Sequence, residues 1–401
     1  VTREGVGAAT ARAGGPSLRT SLAARIGAGG WSAVPPLAVL AVVWIVFQIA
    51  NPSFLSSANL VNLAMQSAAT GLIALGVVFV LIVGQIDLSV GAVASLSGGI
   101  VGVLFVGSGW PAVAAIAAAL VVAAAIGALY GVVVIRFRAP GFVVTLAGLL
   151  AVLGAQSWVL RGSGSIGLPV DSWLVTFAQQ TYLPDAVAFA LAVAGGVTWT
   201  ASRIVTRARR RNAGLPYGRL WTILLAGALL LAALVGGAWY LGLGRGVGGV
   251  FVVFLGAVVV ADIVLRRTRW GRALHAVGGG EEAARRVGIR TGAVMISAFI
   301  VCTTLAAVGG IFASARLAAA VQGGATDDVY LTAIAAAVIG GTSLYGGRGS
   351  AWSALLGIVI ITSLGSGFTL LALDSSTRLL ITGAVLLAAV IVDSLARARR
   401  R

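Results

Sequence analysis

The sequence predicts an all-α fold: a polytopic transmembrane helix bundle of about 12 spans, with broken or re-entrant helices and both termini cytoplasmic. Three observations carry this expectation. Apolar residues make up 59% of the 401-residue chain and charged residues only 10%, whereas a soluble domain carries about 25% charged residues. Several apolar stretches reach the roughly 20 residues that cross a hydrocarbon core. The arginines fall in short runs between those stretches, the pattern of cytoplasmic loops.

In chain order the first apolar segments are Val34–Ile49, Leu60–Val83, Val90–Val106, Pro111–Ile135, Gly141–Leu160 and Tyr182–Ala201. The second set is Leu220–Leu241, Val247–Leu265, Thr291–Ile311, Tyr330–Leu344, Ala351–Leu371 and Leu379–Val392. Most are rich in Ala, Val, Leu and Gly all round, as suits a helix whose backbone must be bonded within lipid. With the N-terminus inside, all 28 arginines except Arg161, Arg245, Arg316 and Arg378 fall in cytoplasmic stretches. A wrong span count would scramble that alternation.

The domain organisation follows. Residues 1–33 read as a cytoplasmic basic tail, 34–393 as the transmembrane domain and 394–401 as a second basic tail. Residues 202–219 form a cytoplasmic insertion and 266–290 a second cytoplasmic segment. The start of the chain does not read as a signal peptide. Its basic stretch is too long, and Asn51-Pro52-Ser53, not a small-residue cleavage site, follows the first apolar segment.

Several chemistries are excluded. The chain has no lysine, so it holds no Walker A loop and no Schiff-base lysine. One cysteine, Cys302, and one histidine, His275, cannot make an intrachain disulfide or a multi-ligand Cys/His metal site. The net charge of +17 lies between apolar spans, which argues against nucleic acid.

Three polar stretches interrupt the apolar pattern. Gly84-Gln85-Ile86-Asp87-Leu88-Ser89-Val90-Gly91 places a carboxylate between two spans, where it must face water or a partner. Its residues suit either a helix break lining a pathway or a tight turn in which Asp87 and Ser89 cap the third span. The second stretch runs Gln322-Gly323-Gly324-Ala325-Thr326-Asp327-Asp328 and then Gly340-Gly341-Thr342-Ser343-Leu344-Tyr345-Gly346-Gly347-Arg348-Gly349-Ser350. It suits a re-entrant helix or a close-packing site, the latter reading also covering Gly98/Gly102 and Gly127/Gly131. Leu60–Gly91 and Ala333–Gly349 form a faint repeat of span, polar break and span, entered from one side. In the third stretch, Arg269–Ile289, Glu281 and Glu282 open a short helix, Arg285 and Arg286 follow one turn later, and Gly288 closes it. That helix suits a partner's groove or a free surface. His275 reads as a polar loop residue.

Together, Ile86–Gly91, Phe142-Val143-Val144-Thr145-Leu146-Ala147-Gly148, Gly271–Ile289 and Ala335–Ser350 resemble bacterial ABC permeases of the ribose/xylose class, over about Leu37 to Val392. The length and the arginine-rich insertion look most like the D-xylose branch. The resemblance implies a non-enzymatic transport subunit that acts as a pair, usually of identical copies. It implies a partner carrying two ATPase domains, where ATP and Mg are bound, and an extracytoplasmic sugar-binding protein. This chain itself would bind no cofactor. The 266–290 segment would couple to the ATPase through Gly271, Arg272, Leu274, Gly278, Glu281, Glu282, Ala283, Arg285 and Gly288. Candidates for the sugar pathway are Asp87, Ser89, Thr145, Gln156, Trp158, Tyr330, Thr342 and Ser343, whose hydroxyls and amides bond sugar while an aromatic face stacks on its C–H side. Tyr330 stands where the class usually carries an acid, and Gln85 where members vary. An ion-coupled transporter and a lipid-modifying membrane enzyme are the alternatives. The first usually needs several buried ionisable groups, and Asp87, Asp262 and Asp393 are the few candidates. The second needs a His/Asp/Glu constellation that the sequence lacks.

Overall fold

The computed structural model describes residues 34–160, 163–323, 329–384 and 387. Both expected tails, Arg161, the Gly324–Asp328 stretch and Asp393 lie outside the described residues. The fold is almost wholly helical. The first half contains α1 (Val34–Ala50), α2 (Ser57–Ile82), α3 (Val90–Gly102, ending in a π-helical turn Val103–Gly107), α4 (Ala112–Phe137), α5 (Gly141–Val159) and the short α6 (Trp173–Gln180). Then follow α7 (Asp185–Asn212), α8 (Leu220–Gly242), α9 (Gly249–Arg267), α10 (Arg269–Gly279), α11 (Glu281–Arg286), α12 (Thr291–Leu317), α13 (Val329–Ile339) and α14 (Ala351–Leu370). Residues 375–384 are helical too. Among the described residues nine helices are long and apolar enough to cross a membrane: α2, α3 with its π turn, α4, α5, α7, α8, α9, α12 and α14. The apolar helices α1 and α13 are shorter.

Three boundaries differ from the sequence expectation. α7 begins at Asp185 and runs on through Arg209, Arg210 and Arg211, because Ala and Arg are good helix formers. It stops where Gly214 takes a positive φ of 67° and Leu215 N–H closes onto Arg210 O at 2.9 Å. The segment expected over Tyr330–Leu344 stops at Ile339, because Gly341 turns the chain at φ 108°. The last expected segment, Leu379–Val392, begins earlier, at 375, and its expected end lies outside the described residues.

α2 is the buried centre, flanked by α12, α14, α13 and α9, and α12 in turn packs on α4 and α3. Small residues permit this closeness. A Cβ at Gly127 would lie 2.6 Å from Phe299 O, and one at Gly131 would lie 2.6 Å from Ile296 Cα. The Gly127/Gly131 pair is therefore a packing stripe between α4 and α12. A satellite cluster joins α1 to α14, with the Phe47 ring 5.2 Å from Phe54 and 5.6 Å from Phe368. Trp44 Nε1–H donates to Ser363 Oγ at 2.9 Å across the same contact. The two short strands β1 (Ser165–Gly167) and β2 (Ala319–Val321) pair antiparallel where α5 and α12 finish.

Candidate functional site

The polar break after α2 folds into a sealed knot. Gly84 takes φ 78° and Gln85 N–H closes onto Val80 O at 3.0 Å, ending the helix. Asp87, Ser89 and Thr145 are fully buried. Ser89 donates to Asp87 Oδ1 from both its N–H (2.8 Å) and its hydroxyl (2.7 Å). Thr145, on α5, accepts from Leu88 N–H at 3.2 Å and donates to Ile86 O at 3.1 Å, which fixes the break to a neighbouring helix. Asp87 thus braces its own turn, and the Ser89 hydroxyl makes no cap bond to α3. The Cys302 thiol of α12 stands beside the Asp87 carboxyl, and the hydroxyl of Tyr130 on α4 beside Ser89.

The second break stands against the first. After α13, Thr342 N–H donates to Ala337 O (3.0 Å) and Ser343 N–H to Arg348 O (2.9 Å), folding residues 340–350 into a compact turn. Gly347 N–H then donates to Ile82 O, the last carbonyl of α2, at 2.8 Å. Thr342 is buried with an unpartnered hydroxyl, while the half-buried Ser343 accepts from Tyr345 N–H at 3.2 Å. Ser350 caps α14 by accepting from Trp352 N–H at 3.3 Å. The two halves of the faint repeat therefore meet at one end of the bundle.

The third polar stretch seats on both breaks. Thr268 caps α10 by accepting from Gly271 N–H at 3.0 Å. Gly271, Leu274 and Val277 form its buried face, the i, i+3, i+6 spacing expected of a helix lying on a surface. Trp270 stacks on Phe79 of α2 at 5.6 Å and donates to Ser297 Oγ at 2.8 Å. His275 faces Gly271 O (2.9 Å) and Gly349 O (3.3 Å), so it bridges α10 to the second break. Gly278 lies against Ile82 O and Gly347 N, where the two breaks touch. In α11, Glu281 pairs with Arg285 at 2.7 Å and accepts from Thr291 Oγ1 at 3.3 Å, while Glu282 pairs with Arg286 at 3.5 Å. Gly288 ends the segment at φ 85°. Arg272, Glu281, Glu282, Ala283, Arg285 and Gly288 are exposed. A cavity of about 450 Å³ opens between α11 and the first break, lined by Gln85, Arg138, Glu281, Arg285 and Thr291.

The other pathway candidates lie elsewhere. Gln156 sits fifteen residues along α5 from Gly141, about 22 Å at the α-helical rise. It is buried and clamps β2: its Nε2 donates to Ser95 Oγ (2.6 Å) and Val321 O (3.2 Å), and its Oε1 accepts from Gly323 N–H (3.4 Å). Gln322 Nε2 adds a bond to Ser157 Oγ at 2.6 Å. Trp158 is 82% exposed. Two helical steps of 100° place it on the opposite side of α5 from Gln156, so the two do not share a lining. Tyr330 opens α13, half-buried against the main core. The eight candidates thus fall into one knot with an adjoining turn, a distant clamp, an outward tryptophan and Tyr330 at the start of α13, not a single site. Sequence reasoning missed Tyr130 and Ser95, and took Gln322 only as the start of a glycine-rich polar stretch. Their signal was a hydroxyl or amide inside or beside an Ala/Val/Gly-rich helix.

Comparisons with known proteins bear on this arrangement. Residues 59–390 match the family described as branched-chain amino acid transport system / permease component. The chain is 33% identical to the xylose transport system permease protein XylH of Escherichia coli over 90% of this chain and 91% of that protein. It is 34% identical to XylH of Haemophilus influenzae, covering 89% and 95%. It is 31% identical to the ribose import permease protein RbsC of Escherichia coli, covering 89% and 92%. No solved structure matches.

Proposed function

The chain belongs to the branched-chain amino acid transport system / permease component family, in its ribose/xylose class of ABC permeases, and on that premise we propose how it works. It is the membrane-spanning subunit of an ATP-driven importer that moves a monosaccharide, a pentose such as xylose, by alternating access. The observation that carries this reading is the similarity to xylose and ribose permeases along nine-tenths of both chains.

The nine long helices, with α1, α13 and the helix that starts at 375, make twelve crossings with both termini inside. Residues 1–33 and 394–401 are basic tails flanking the permease domain 34–393. Two copies of the chain enclose the pathway. A separate subunit with two ATPase domains supplies the energy, since this chain lacks the lysine of a Walker A loop. An extracytoplasmic binding protein delivers the sugar. The α10–α11 segment docks on the ATPase with its exposed charges, while its buried face rests on Ile82, Gly347 and Gly349. Movement of that segment is therefore transmitted to the Gly84–Ser89 and Gly340–Ser350 breaks, and through α5 towards the Gln156 clamp.

The family description names branched-chain amino acids, whereas the relatives are named for sugars. An amino-acid zwitterion is held by charged side chains or by helix ends and unwound backbone groups at its two ends. Of the pathway candidates only Asp87 carries a charge, and hydroxyls and amides suit a neutral sugar. Reconstitution with the ATPase and binding protein tests the reading. Xylose-stimulated ATP hydrolysis supports it. Stimulation by leucine alone points to the amino-acid reading, and uptake that follows an ion gradient without ATP points to a secondary transporter.

A further inference from the structure

We propose that the arginine-bearing end of the α7–α8 hairpin is a binding site for the phosphate headgroups of anionic glycerophospholipids. The hairpin packs chiefly on itself, with α8 leaning on α2. Its flanks expose Leu191, Val197, Leu224, Leu225 and Leu229, a surface that suits acyl chains.

α7 has 28 residues, about 42 Å of helix, against a hydrocarbon core of roughly 30 Å. The excess carries Arg203, Arg207, Arg209, Arg210 and Arg211, with Arg219 across the turn. No Asp or Glu occurs between Asp185 and Asp262, so no acid of the hairpin itself neutralises this end. α7 and α9 start side by side at the Tyr182–Gly248 bridge, and the proposed twelve crossings put the far ends of both on the side of α10.

General attraction of positive loops to one membrane side needs only charge. Here the charge is also oriented. The Arg203 guanidinium sits 5.1 Å from the Trp199 ring centroid, and that of Arg207 sits 5.1 Å from Tyr217. Arg207 Nε donates to Gly218 O at 3.0 Å, which ties the helix to the turn. A guanidinium held over a ring by cation–π attraction keeps its terminal N–H donors for a phosphate. Trp199 and Tyr217 themselves belong to the residue types that settle at the headgroup level.

The test uses the full-length permease in mild detergent, offered equal phosphatidylglycerol and phosphatidylcholine, with bound lipid read by native mass spectrometry. Wild type is expected to retain phosphatidylglycerol preferentially by at least tenfold, given roughly fivefold per arginine near the surface. R203Q/R207Q/R210Q/R211Q should abolish the preference. R203K/R207K keeps the charge that directs insertion yet loses the stacked fork, and should lower the preference several-fold. R285Q/R286Q, at the coupling segment, should leave it unchanged. Equal retention of both lipids by wild type would overturn the proposal. So would an unchanged preference in both hairpin variants, or displacement of the lipid by inorganic phosphate at equal concentration. Lipid retention is read without sugar or ATPase, so failure here leaves the transport reading untouched.

Discussion

Gly278 stands where the coupling segment meets both polar breaks, and replacing it tests whether that contact transmits motion. A Cβ at this position would overlap Ile82 O, lie 2.5 Å from Gly347 N and 2.8 Å from Ile82 C. All three are backbone atoms, so no side chain can swing aside. Restoring ordinary contact requires α10 to move off its seat by about 2 Å, an overpacking cost of about 1–3 kcal/mol or more. Gly279, one residue on, has nothing within 4 Å of the same added atom. The pair therefore separates loss of the contact from loss of a glycine. In proteoliposomes containing the ATPase and binding protein, Gly278→Ala should lower sugar uptake per ATP hydrolysed by about tenfold, with a lower unfolding midpoint, on the scale of that cost. Gly279→Ala should match wild type in both. Equal coupling in the two variants would refute the idea that the α10 seat carries the signal.

Other variants probe the remaining contacts. Gln156→Leu removes three hydrogen bonds that hold β2, a loss of about 1–3 kcal/mol for the groups left unpaired. The labelling rate of a cysteine placed at Val321 should rise several-fold; an unchanged rate would deny the clamp. Asp87→Ala strips both Ser89 bonds and should cost about 2–4 kcal/mol in thermal or denaturant unfolding, while Asp87→Asn keeps the acceptor and should cost less than half as much. Equal losses would show that the bracing of Ser89 is not what Asp87 contributes. Trp158→Ala should leave sugar-stimulated hydrolysis within about twofold, since the ring faces outward. A tenfold loss would return Trp158 to the pathway or place it at the contact with a second copy.

Much of the fold is legible because lipid leaves a helix little choice. Leu60–Val83 as expected and Ser57–Ile82 as found differ by a few residues, with Ser56 accepting from Asn59 N–H at the start. The polar breaks were visible for the same reason: glycine and carboxylate in an apolar run need an explanation. Their meeting was not visible, since Gly278, Ile82 and Gly347 are distant in sequence and join only through α12, α9 and α14 packing on α2. Trp158 stands apart from Gln156 because closeness in sequence on a helix is not closeness in space. The amphipathic α6, burying Leu174, Val175 and Ala178, was passed over because eight residues give too short a pattern beside spans of twenty.

Radiolabelled xylose uptake into proteoliposomes measures most directly whether this chain carries a pentose when driven by a separate ATPase. The permease is reconstituted with the double-ATPase subunit and the binding protein, with and without ATP. Accumulation should require all three proteins and ATP, survive collapse of ion gradients, and fall with Gly278→Ala but not Gly279→Ala. Accumulation without the ATPase, or none for any pentose in the complete system, would contradict ATP-driven pentose import.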